Sequence, residues 1–84
     1  MYEVVFSEKA ERQLKKLDKK TQERVISVIE RVRIRPEAHL QKLMGEHAYK
    51  IRVGDYRVIV DLDNRKKMLF IHKVGHRKNI YNKL

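Results

Sequence analysis

The hydrophobic positions of this chain change period part-way along it. Residues 2–6, Tyr-Glu-Val-Val-Phe, are rich in β-branched and aromatic side chains and predict a short first strand. Ser7 follows as a candidate N-cap, with Glu8 and Glu11 in the first turn, where the helix dipole favours acids. Ala10, Leu14 and Leu17 then recur at helical spacing as a narrow apolar stripe. Asp18 offers a second cap, and Val25, Val28, Ile29 and Val32 fall at i, i+3, i+4 and i+7, the buried face of a second helix. Arg35-Pro36 stops that helix, because proline biases the residue before it away from helix. So short a link folds the two helices into an antiparallel hairpin.

Residues 37–47 keep no period and read as a connector. From Tyr49 the period is two. Tyr49, Ile51 and Val53 alternate with Lys50 and Arg52; Tyr56, Val58, Val60 and Leu62 alternate with Arg57, Ile59 and Asp61. Gly54-Asp55 between them predicts a tight two-residue turn. Asp63-Asn64 marks another turn, and residues 67–74 make a final strand that Gly75 ends. The order β-α-α-β-β-β implies an α+β fold, an antiparallel sheet packed on an α-helical hairpin. At 84 residues the chain is expected to be one domain, 1–84, with one modest core.

The turn sets a register with a consequence. Val53 faces Tyr56, Ile51 faces Val58, and Arg52 faces Arg57. A one-residue slip would mix arginine into the apolar face, so the pattern disfavours it. Lys50, Arg52 and Arg57 therefore share the side of the sheet opposite the helices. Like charges directly opposite cost roughly 0.2–1 kcal/mol, unless long side chains splay into water. A third cation on the same face makes a bound anion the better explanation, and replacing Arg57 by Gln is expected to leave the fold as stable or slightly stabilised.

Composition says what that anion is. Lys and Arg number 21 against 11 acids, a formal net charge of +10. So basic a small chain points to nucleic acid first, then to an acidic protein or anionic membrane. No apolar run approaches membrane-spanning length, and no long amphipathic helix carries bulky aromatics, so no membrane partner is expected. The N-terminal residues lack a basic leader and a long apolar stretch, so they do not read as a signal peptide. Cysteine is absent, which removes disulfides and thiolate metal sites and suits a reducing cytoplasm. His39 and His47 sit in the connector with no partner at ligand spacing, so neither metal nor other cofactor is expected.

Where the last apolar run stops, His76, Arg77, Lys78 and Tyr81 come together. Arginine offers a phosphate a bidentate fork and lysine a point charge, but neither accepts a proton near neutrality. Tyr81, and after it His76, could. A cation at ~6 Å in an effective dielectric of ~20 favours the phenolate by roughly 3 kcal/mol, about two pKa units. Tyr81 is thus either a general base or an apolar plug docking the tail with Ile80 and Leu84. The face occupied by His72 is not fixed by the turn before it.

The order of elements, "YKIRVGDYRVIVDL" at residues 49–62 and "KVGHRKNIY" at residues 73–81 together resemble the RelE/ParE toxin superfamily, its RelE branch in particular, over essentially the whole chain. The resemblance implies a ribosome-dependent endoribonuclease, the toxin of a type II toxin–antitoxin pair, cutting mRNA in the A site without a metal and neutralised by a RelB-type antitoxin. It implies RNA-binding roles for Lys50 and Arg52, to which Lys78 is added, and catalytic roles for Arg57, Arg77 and Tyr81. Arg52 stands where the best-known member has lysine, and the Arg77-to-Tyr81 spacing is shorter than in that member. Two alternatives are a ParE-like toxin that poisons DNA gyrase, a branch generally lacking this basic-plus-tyrosine set, and a non-catalytic RNA- or ribosome-binding module.

Overall fold

Ser7 ends the first strand and starts the first helix. Its Oγ accepts from the Ala10 N–H at 3.0 Å and donates to the His72 carbonyl at 2.9 Å, so one hydroxyl caps α1 (Glu8–Lys15) and ties it to a strand far along the chain. Asp18 does the same local work for α2 (Lys19–Val32), accepting from the Thr21 N–H at 3.3 Å and from the Thr21 hydroxyl. These bonds, the hydroxyl's foremost, hold the Asp18 carboxyl below its usual range. The computed structural model describes residues 1–43 and 48–80.

The expected α+β order is present. β3 (Ala48–Val53) and β4 (Tyr56–Asp63) form the hairpin, and β5 (Met68–His76) continues the meander beside β4. Two features extend the sequence reading. β1 (Glu3–Phe6) lies parallel to β5, not antiparallel, which the long crossover through both helices permits. The connector contains a 3₁₀ turn, Pro36–Ala38, and a two-residue strand, β2 (Gln41–Lys42), paired with β3. Among the described residues the sheet is thus five-stranded, β1-β5-β4-β3-β2.

The helices cover one face only, α1 against β5 and β1, α2 against β3. Ala10, Val25, Ile29 and Val32 meet Ile51, Val53, Val58, Val60, Leu69 and Ile71 in the core, all buried. Leu14, Leu17 and Val28 pack at its margin. The other face carries no helix, and it is there that the charged alternates of the hairpin emerge.

The last strand departs from expectation at both ends. It starts at Met68, because Lys67 has φ +56° and belongs to the turn, where Asp63 Oδ1 accepts from the Arg65 and Lys66 N–H groups at 3.0 Å each. It runs through Gly75 to His76. Within it the register slips by one: Ile59 pairs with Lys73 but Val60 with Ile71, leaving His72 as an extra residue, a β-bulge.

Candidate functional site

The Gly54-Asp55 turn organises the site. Gly54 takes φ +58°, and Asp55 is not in the positive-φ region, the pattern of a type II′ turn matching strand twist. The register follows: Val53 pairs with Tyr56, Arg52 with Arg57, Ile51 with Val58. Across β3, β4 and β5 the open face then has three rows, Ala48–Asp61–Phe70, Lys50–Ile59–Lys73 and Arg52–Arg57–Gly75. Lys50, Arg52 and Arg57 are brought together as expected. Lys73, which strict alternation after Leu69 and Ile71 assigns to the core, is a cation the sequence reading missed.

The two facing arginines do not splay alike. Arg52 is exposed, whereas Arg57 is only 7% exposed. Arg57 Nη1 donates to the Gly54 and Tyr56 carbonyls, each at 2.8 Å. The guanidinium is anchored on its own turn, which makes Arg57 part of the fold. These bonds weigh against the expectation that Gln at this position leaves the fold as stable or slightly stabilised.

More arginines converge on the same turn. The Arg24 guanidinium of α2 packs over Gly54, where an added Cβ would lie 3.1 Å from Nη1. The Arg77 N–H donates to the Asp55 carbonyl at 2.8 Å, and its Nε lies 3.9 Å from Asp55 Oδ1. Asp55 thus moors the start of the C-terminal segment to the hairpin. Neither Arg24 nor Asp55 carries a sequence signal for this; both are placed by packing.

His76 is separated from this face. It pairs with Tyr56 on the helix side, the rings edge-to-face with centroids 5.5 Å apart, and its Nδ1 accepts from the Lys78 N–H at 3.2 Å. After it the chain turns back, with the Asn79 and Ile80 N–H groups donating to the His76 carbonyl. Ile80 is buried, its Cδ1 3.0 Å from where a Gly75 Cβ would be. Since Gly75 faces Arg57, Ile80 comes back onto the open face, and Gly75 is the residue that leaves it room. Lys78 is exposed in that turn. Tyr81 lies outside the described residues, as does His47.

The opposite end of the sheet has a different character. A shallow cavity of about 390 Å³ is lined by Asp61, Leu62, Asp63, Asn64 and Phe70, two carboxylates among them. Beside it Asp61 Oδ2 and His72 Nε2 are 2.8 Å apart, which settles His72 on the open face. Among the described residues, no three His, Cys, Asp or Glu side chains group as metal ligands, and no helix is long and apolar enough to cross a membrane.

This architecture has known counterparts. A chain of the RelBE2 toxin–antitoxin complex of Mycobacterium tuberculosis is 26% identical, with TM-score 0.83, covering 90% of this chain and 98% of that one. The archaeal RelE–RelB complex of Pyrococcus horikoshii contains a chain 27% identical, TM-score 0.79, covering 93% and 97%. The isolated RelE toxin of E. coli is 26% identical, TM-score 0.77, covering 90% and 84%. No curated protein sequence matches significantly. The sequence model for the ParE toxin of type II toxin–antitoxin systems matches residues 4–81. With that match over nearly the full chain and RelE folds superposing on it, the chain belongs to the ParE toxin family, within the RelE/ParE superfamily.

Proposed function

We propose that this toxin is a RelE-type, ribosome-dependent endoribonuclease that cuts mRNA in the A site and is neutralised by an antitoxin. The observation that carries this reading is the helix-free sheet face, where Lys50, Arg52 and Arg57 share one patch and Arg77 is moored to its turn. The similar solved chains from toxin–antitoxin complexes support the antitoxin partner.

In this mechanism the ribose 2′-oxygen attacks the adjacent phosphorus while the bond to the 5′-oxygen breaks. The products are a 2′,3′-cyclic phosphate, or after hydrolysis a 3′-phosphate, and a 5′-hydroxyl. Tyr81 takes the 2′-hydroxyl proton. Arg57, anchored before the substrate arrives, stabilises charge growing on the phosphoryl oxygens without reorganising. Arg77 holds the phosphate and stabilises the leaving 5′-oxygen, which takes its proton from solvent water, while Lys50, Arg52 and Lys78 grip the backbone. No metal takes part in this scheme. The ribosome aligns the message, which so open a face does not do alone. His76, turned to Tyr56 on the helix side, is a poor second choice as base.

Primer extension on mRNA in a translating extract tests the reading. Wild-type protein should produce discrete cuts in translated codons. Tyr81→Phe should fold and bind ribosomes normally but cut roughly 10²–10⁴-fold more slowly, the range for losing a general base. Wild-type cutting by the Phe variant would return Tyr81 to a packing role. The match to the ParE family model gives a gyrase-poisoning reading its one specific support. Inhibition of gyrase supercoiling with no cuts in mRNA would establish that alternative.

A further inference from the structure

We propose that Lys73 is a further phosphate contact on the RNA-binding face, turned onto it by the β-bulge at His72; the inference rests on the nuclease reading above. Along β5, Leu69 and Ile71 point into the core. Unbroken alternation would send Lys73 after them and Val74 to the open face. Burying an ammonium group there would cost far more than a strand irregularity does. The bulge inverts the parity: Val74 is buried opposite Val58, and Lys73 comes out opposite Ile59.

The irregularity is held from three directions. Asp61 Oδ2 meets His72 Nε2 at 2.8 Å, Ser7 Oγ donates to the His72 carbonyl at 2.9 Å, and the Val74 N–H donates to Gln13 Oε1 at 2.8 Å. Backbone groups of the bulged stretch thus find partners on α1 and its cap. So well satisfied a bulge is a built feature, and bulges commonly re-aim a side chain beside a site.

What it re-aims completes a ring. Lys50 and Lys73 stand in one row on either side of Ile59, about 10 Å apart at two strand spacings. Ile59 is 2% exposed and lies outside the helix-side core, an apolar position covered between the two lysines. Arg52 and Arg57 occupy the adjoining row. A phosphodiester lying across these two rows would have Lys50 on one flank and Lys73 on the other.

The test uses the full chain and ribosomes programmed with a message 2′-O-methylated in the A-site codon, which keeps the phosphates but lacks the attacking hydroxyl. Lys73→Met keeps the aliphatic stem and removes the charge. It should still unfold cooperatively and bind roughly fivefold to thirtyfold more weakly, the loss of one charge-assisted contact. Its plot of log affinity against log salt should be shallower by about 0.7, the single-strand value per phosphate. Lys73→Arg should restore both. A salt slope unchanged in Lys73→Met overturns the proposal, as does loss of cooperative unfolding in that variant, which would make Lys73 structural. If wild-type protein binds and cuts normally while the Met slope is unchanged, Lys73 alone is removed. A wild-type chain that neither binds programmed ribosomes nor cuts removes the nuclease reading and Lys73 with it.

Discussion

Arg57 shows how one residue serves fold and chemistry together. Its register position follows from the turn, but its anchoring on the Gly54 and Tyr56 carbonyls does not. Truncation therefore removes a bonded, largely buried cation. Arg57→Gln should lower stability in urea denaturation by about 1–3 kcal/mol, because two carbonyls lose a charged donor, and cleavage should fall as well. Unchanged stability would mean that water replaces those bonds without penalty. At this scale the sequence identified the cations but not their postures. Arg52 and Arg57 are the same residue type at facing positions, one exposed on β3 beyond its pairing with β2, the other buried on the central β4 with nearby carbonyls to bond.

The helices and the hairpin were legible because near neighbours encode them. Ser7 and Asp18 cap through residues three positions on, and Gly54 supplies the positive φ the hairpin turn needs. The Asp18 cap carries a pH signature. Its carboxyl titrates lower in the folded than in the unfolded chain, so its contribution is present above the unfolded pKa and is lost as pH falls through the folded one. Melting temperature followed down through the carboxylate range should drop more in wild type than in Asp18→Asn, which keeps a capping oxygen but cannot titrate. Parallel curves would show that other carboxylates dominate acid unfolding. The elements that escaped the pattern are short or irregular. β2 has two residues, too few for a period to register, and the His72 bulge breaks the period it sits in.

Over the whole molecule, basic residues outnumber acidic ones, 21 against 11. Arginines gather at the Gly54-Asp55 end, and at the other end the Asp61 and Asp63 carboxylates are followed in the turn by Arg65, Lys66 and Lys67. So basic a surface attracts a polyanion. Binding to RNA should therefore weaken steeply with salt, with a log–log slope of roughly −2 to −3.5 for three to five neutralised phosphates. A flat dependence, measured by titration across salt concentrations, would assign the contacts to apolar surface instead. The sequence by itself determined both helices and their caps, the hairpin register, and the gathering of Lys50, Arg52 and Arg57 on one face. Each of these depends on interactions between residues close along the chain. Tertiary structure alone decided that β1 joins β5 in parallel, that Arg57 is buried, that His76 faces Tyr56, and that Lys73 comes out beside Lys50. Two of the bonds that fix the bulge join Ser7 to His72 and Gln13 to Val74, 65 and 61 residues apart, and no local periodicity reports a contact made over that distance.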